Sequence, residues 1–120
     1  MKDVKAMAAI VMVMVFCSIS GQAQETKTKQ ELKTYLIERD IPNAGQLNQE
    51  ELEGISKKSC SVLETMTDIE WVNSYVMDNK VYCLYRATTP ELINQHAKDA
   101  GFPVTSIMEI GSVIGPKTAN

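Results

Sequence analysis

Groups that carry chemistry are scarce in this chain. It holds one histidine, one tryptophan and three cysteines. It has no basic excess: 12 lysines and arginines stand against 15 acids, a formal net charge of −3. With no basic cluster, neither nucleic acid nor an anionic membrane surface is a fitting partner. No glycine-rich phosphate loop, no dinucleotide-binding glycine pattern and no His-x-x-x-His pair occurs, so the common motif-borne chemistries have no foothold. No catalytic constellation, repeat or low-complexity tract is visible. The apolar run at residues 6–16 is shorter than the roughly 20 residues a membrane span needs.

That run decides how the rest is read. Lys2 and Lys5 precede it, and Gly21-Gln22-Ala23 follows it. A basic start, an apolar stretch and small residues at −3 and −1 make a signal peptide, with cleavage expected after Ala23. An uncleaved anchor or a buried core helix is the rival reading. Cys17 is not read as a lipidation site, because Phe16 stands where a small residue is required. Residues 1–23 are thus a signal peptide, 24–31 a flexible polar leader, and 32–118 one domain with a modest core. The expected location is the periplasm or the exterior, with no membrane attachment after cleavage. Processing leaves Cys60 and Cys83, too few thiolates for an iron–sulfur cluster. They form one disulfide or stay as two small buried thiols. A helix stacked on a sheet sits about 10 Å away, whereas disulfide Cα atoms lie within about 7 Å, which favours buried free thiols.

The spacing predicts a strand over 33–39, with Tyr35 and Ile37 on one side and Leu36 and Glu38 on the other. Pro42 and Gly45 punctuate a loop. Asn48 and Glu51 have capping-box spacing, and Leu52, Ile55, Ser59, Val62, Leu63 and Met66 follow at helical period. Residues 69–77 and 81–87 read as strands joined by a tight turn at Asp78-Asn79, residues that tolerate positive φ. Thr89-Pro90-Glu91 opens a second helix that Gly101 ends. A last strand spans 107–114, weakened by Gly111, and the tail from 115 is expected to be loose. The order βαββαβ is that of an α+β, ferredoxin-like sandwich: a four-stranded antiparallel sheet with two helices on one face.

The uncovered face of such a sheet is ordinarily polar. Here both sides of the strand at 81–85 are apolar, and so are both sides of the strands at 33–39 and 69–77. In the latter, Ile69, Trp71, Tyr75 and Met77 are expected on one side and Val72 and Val76 on the other. Burying a large apolar side chain contributes roughly 1.5–3 kcal/mol, against a typical domain stability of about 5–15 kcal/mol. Several such residues left in water are a heavy loss for a small domain. A homodimer joined through the open sheet face, enclosing a small cavity, is therefore expected.

His96 falls on the inward stripe of the second helix, where it is a neutral core-edge histidine or, functionally, a metal ligand or general base. Glu38 and Glu109 interrupt apolar strand patterns, and an inward carboxylate needs a partner or a metal. Glu38 has the alternative of pairing with Arg39 or Arg86. The metal set expected from these residues is His96, Glu109 and Glu38, and the ligand-lining set is Tyr35, Trp71, Tyr85 and His96.

The segments Tyr35-Leu36-Ile37-Glu38-Arg39, Lys58-Ser59-Cys60, Trp71-Val72-Asn73-Ser74-Tyr75 and Lys80-Val81-Tyr82-Cys83-Leu84-Tyr85, with His96, Gly101-Phe102-Pro103 and Ile107-Met108-Glu109, resemble a family of small bacterial domains whose best-described relative is a nickel-binding protein of actinobacteria. The resemblance implies a dimeric ferredoxin-like fold and transition-metal binding, with His96 and Glu109 as the positions that carry over. The function expected is an exported, dimeric, non-enzymatic binding domain for a divalent transition metal such as nickel, or for a small ligand. The alternative is an isomerase- or monooxygenase-like enzyme that uses His96 as acid/base in a cavity at the sheet face.

Overall fold

The computed structural model describes residues 30–120. The expected signal peptide, its cleavage site and most of the leader lie outside the described residues. The elements run β1 (Lys33–Asp40), α1 (Gln49–Leu63), β2 (Ile69–Val76), β3 (Lys80–Ala87), α2 (Pro90–Ala100) and β4 (Ser106–Glu109), with short 3-10 turns at Ala44–Gln46 and Pro116–Ala119. The sheet is antiparallel in the order β2-β3-β1-β4. With both helices packed on one side, this is the ferredoxin-like sandwich expected. Among the described residues no helix is long and apolar enough to cross a membrane.

Local chemistry sets the ends of the elements. Asn48 Oδ1 accepts from the Glu51 N–H at 2.8 Å and Glu51 Oε1 from the Asn48 N–H at 3.0 Å, a complete capping box at the start of α1. Pro90 opens α2, where its missing N–H costs nothing, and the Thr89 side chain makes no cap bond. Gly101 closes α2 in the left-handed region at φ 79°, where a glycine meets no Cβ penalty. Gly45 seats the loop after β1 on the β2–β3 turn. Its N–H donates to Asp78 O at 3.0 Å, and a Cβ there would lie 3.0 Å from Asp78 Cα.

The covered face carries Tyr35 and Ile37 from β1, then Val81, Cys83, Tyr85 and Ala87 from β3, with Ile93 of α2 above them. Tyr35 and Tyr85 therefore lie beneath the helices rather than on the open side. Trp71 joins them there, paired with Tyr85, and a β-bulge at Val72 then reverses the alternation of β2. In consequence Ser74 and Val76 share the side of Trp71, while Asn73 and Tyr75 pair with Leu84 and Tyr82 on the other. This corrects the strict alternation read over 69–77. A bulge adds one residue and flips every later side chain, and the partner strand, not the local sequence, decides where it falls.

Three smaller expectations also change. The β2–β3 turn forms without positive φ at Asp78 or Asn79; among the described residues the left-handed non-glycine positions are Asn43 and Asp68. β4 stops at Glu109, so Gly111 and Val113 are not strand neighbours of that residue. Cys60 and Cys83 are both free, but Cys60 is exposed on α1 and only Cys83 is buried.

The open face is apolar at its centre. Met108, Leu36 and Leu84 form one cross-strand row, and Tyr82 and Tyr75 lie in the next beside Glu38 and Ser106. Leu36, Tyr82 and Leu84 are half-buried, Tyr75 is 47% exposed and Met108 46% exposed. Charged pairs flank this patch. Lys80 Nζ bridges Glu38 and Asp40 at 2.6 Å each, and Arg86 pairs with Glu70 at 3.1 Å. The Lys80 hydrogen bond holds the Asp40 carboxyl below the usual carboxylate range, and the two acids push the Lys80 ammonium up.

Candidate ligand-binding cleft

α1 stands off from the β2–β3 half of the sheet. Between them lies a partly open cleft of about 410 Å³. Leu52, Ile55 and Ser56 of α1 form one wall, and Trp71, Val72, Ser74 and Val76 of β2 form the other. The bulge makes this second wall: Trp71 and Ser74, three residues apart, face the same way, and Trp71 Nε1 donates to Ser74 Oγ at 2.9 Å. Leu47 and Ile41 close one end, held there by the loop that Gly45 anchors. Ile55, Val72 and Val76 are large apolar residues left exposed at this rim.

The lining also holds the cleft's one charged side chain, Arg39, together with Ser59, Tyr85, Phe102 and Cys83. Arg39 shares a parity along β1 with Tyr35 and Ile37, so it points inward and is only 2% exposed. Its Nη1 donates to Pro103 O at 2.8 Å and its Nε to Cys83 Sγ at 3.4 Å. The guanidinium carbon sits 5.4 Å from the Phe102 ring centroid and 5.9 Å from that of Tyr85. Nη2 has no partner. No acid is buried among the described residues, whose buried polar side chains are Arg39, Ser59 and His96. The sequence offered Arg39 only as an alternative partner, with Arg86, for Glu38, and did not single it out as a buried residue. The signal that places it correctly is its strand parity, which puts it opposite Glu38.

His96 is fully buried, with Nε2 3.1 Å from Ser59 Oγ and Nδ1 without a partner. The ring packs 5.2 Å from Tyr85 and 6.0 Å from Phe102. Burial, chiefly, and the nearby Arg39 charge hold its pKa below the ordinary 6.5, against the opposing effects of Ser59 and Asp99. The ring is therefore neutral at pH 7. The tautomer that avoids a buried orphan N–H carries its proton on Nε2 and donates to Ser59. Burial also pushes the Tyr85 phenol up, with Ser59 and Arg39 opposing.

This burial makes stability depend on pH. Below about 6.5 the unfolded chain takes up a proton on His96 that the native state refuses. The contribution is thus full above that pH and falls as acid is added. His96→Gln, which cannot titrate, is expected to flatten the loss of melting temperature between roughly pH 7.5 and pH 5.5. Equal slopes in the two proteins would show that some other group sets the dependence.

The candidate residues divide between the two sides of the sheet. Trp71 and Tyr85 line the cleft, Tyr35 belongs to the core beside it, and His96 lies behind Ser59 and Tyr85 rather than on the lining. Glu38 is on the open face, bound to Lys80 and Ser106, and Glu109 is exposed at the end of β4. The three residues of the expected metal set are not brought together. Among the described residues, no three His, Cys, Asp or Glu side chains are grouped to hold a metal ion.

Residues 35–110 match a family model described as nickel responsive protein SCO4226-like. The crystal structure of SCO4226 from Streptomyces coelicolor A3(2) aligns with a TM-score of 0.59 over 68% of this chain and 99% of that one, at 12% identity. At that identity the likeness speaks for the fold. No curated protein matches the chain. The family match takes in every strand and helix from Tyr35 of β1 to the end of β4, more than half of the chain. The chain belongs to the SCO4226-like family of nickel responsive proteins.

Proposed function

We propose that this chain is an exported, non-enzymatic binding domain, dimeric through its open sheet face, that holds a small apolar molecule between α1 and the β2–β3 hairpin. The carrying observation is the cleft itself. A space of about 410 Å³ lined by Leu47, Leu52, Ile55, Trp71, Val72 and Val76 is in the size range of small-molecule sites. A domain this small has few other ways to cover those side chains. Export rests on the basic start, apolar run and Gly-Gln-Ala sequence of residues 2–23. Dimerisation rests on the apolar rows of Leu36, Leu84, Met108, Tyr75 and Tyr82.

Nickel, to which the family name points, does not fit the donor set of a single chain. A cation at His96 Nδ1 meets the Arg39 charge and no buried carboxylate. A dimer formed through the open face leaves the two His96 rings on the far sides of two sheets. The enzymatic alternative is weakened in the same way, because the one imidazole does not line the cleft.

The neutral dye N-phenyl-1-naphthylamine is expected to bind saturably, one molecule per chain, with a rise in its emission. Ser56→Trp, which fills the cleft from α1, is expected to abolish this. Dye uptake that survives the substitution places the site elsewhere and sinks the reading. Nickel chloride is expected not to displace the dye, and titration calorimetry is expected to show no heat at sub-millimolar nickel.

A further inference from the structure

We infer that the cleft takes a small amphiphilic monocarboxylate, its head on the Arg39 guanidinium and its apolar tail along Leu47, Leu52, Ile55, Val72 and Val76. This deepens the ligand-binding reading above and rests on it. Three observations lead to it. Arg39 is a buried cation with no acid partner among the described residues: the ion pairs there are made by Lys80 and Arg86. The acid whose charge reaches His96 is Asp99, exposed on α2 and hydrogen-bonded by Gln95 at 2.9 Å. Arg39 Nη2 is buried and unbonded, and Arg39 lines the cleft.

An arginine taken out of water is ordinarily paired, because its desolvation is costly without a counter-charge. A carboxylate is the planar anion that its fork of donors matches. Ser59 and Tyr85 supply hydroxyls to the same lining. A single guanidinium balances one negative charge. A dianionic phosphate would leave the second charge among apolar walls. The walls themselves exclude a small hydrophilic anion and call for a hydrocarbon tail.

Trp71 is the chain's one tryptophan and stands in the cleft wall, so its emission reports occupancy. The test titrates decanoate and decanamide, which share a chain length and differ in charge, against the mature domain at neutral pH. Decanoate is expected to bind about tenfold tighter or more, the ratio that one charge-assisted hydrogen-bond pair supplies. Arg39→Met is expected to bring the two ligands within about threefold of each other, and Arg39→Lys to retain part of the preference. If wild-type protein binds both ligands equally, the carboxylate inference falls while the cleft remains a ligand site. If it binds neither, both fall. The wild-type comparison stands whether or not a variant folds.

Discussion

Leu84→Asp is expected to turn a micromolar dimer into a folded monomer. Leu84 sits on the open side of the sheet, paired in register with Leu36, which in turn pairs with Met108. Tyr82 and Tyr75 form the adjoining row. In the isolated chain Leu84 is half-buried and faces solvent, so a carboxylate there keeps its water and costs the fold little. In a face-to-face dimer the same carboxylate is pressed against the partner's apolar rows. A two-fold axis repeats the change, and each buried, unpaired charge costs several kcal/mol. Two such penalties exceed what a few apolar side chains gain at roughly 1.5–3 kcal/mol each. Light scattering across a dilution series reads the result directly, with circular dichroism to confirm that the variant is folded. A wild-type protein that scatters as a monomer at micromolar concentration removes the proposed interface, and a variant that stays dimeric moves it to another face.

The ion pairs around this patch bear on its specificity. Lys80 is shared by Glu38 and Asp40 at one end, and Arg86 is held by Glu70 at the other. Exposed pairs of this kind add little to stability. At the rim of an interface they set which orientations avoid like-charge contact. Glu38, expected among the metal ligands, belongs to this rim.

What could be read in advance was whatever the chain decides locally. The capping box at Asn48 and Glu51, the Pro90 start and Gly101 end of α2, and the strand parity of β1 are each fixed within a few residues, and each stands in the structure. From that order of elements the ferredoxin-like sandwich followed. What could not be read depends on partners distant in sequence. The bulge at Val72 exists because β2 must stay in register with β3 on both sides of it, and it moves Ser74 and Tyr75 to opposite faces from those expected. β4 ends at Glu109, opposite Tyr35, although β1 runs on to Lys33; one further bond, from the Ile110 N–H to Thr34 O at 2.8 Å, prolongs the pairing past it. The aromatic surplus was real, but the three residues expected to line a cavity at the open face were placed on the wrong side. Tyr35, Trp71 and Tyr85 went under the helices, and Tyr75 and Tyr82 stayed outside. The cleft was illegible because it arises from an α1 that meets the sheet incompletely. Arg39 was visible by parity with Tyr35 and Ile37, but a charged residue next to a strand end is ordinarily given to solvent.

That misplaced arginine supports the second large effect: Arg39→Met is expected to make the ligand-free protein more stable. The side chain is 98% buried in the sense that only 2% of it meets solvent, and its burial is incompletely compensated. One strong hydrogen bond goes to Pro103 O, a weak one goes to a thiol, and one donor has nothing. The rings of Tyr85 and Phe102 return about 0.5–2 kcal/mol through cation–π contact. Replacing a buried ion pair by apolar side chains of similar volume is neutral or stabilising by about 1–4 kcal/mol in other proteins, and Arg39 has no partner acid among the described residues to be left orphaned. Methionine keeps much of the stem, packs its sulfur against the same rings and needs no counter-ion. Leaving the Pro103 carbonyl without its donor costs about 1 kcal/mol. A net gain of about 1 kcal/mol raises the melting temperature of a domain this size by roughly 4–8 °C. The same variant is expected to lose its preference for decanoate, so stability and binding move in opposite directions, as they do where a site holds an unsatisfied group for its ligand. A melting temperature that instead falls steeply would make Arg39 a clasp holding the Phe102-Pro103 turn against β3. The buried charge would then have a structural reason to be there, and the empty donor would no longer call for an anion.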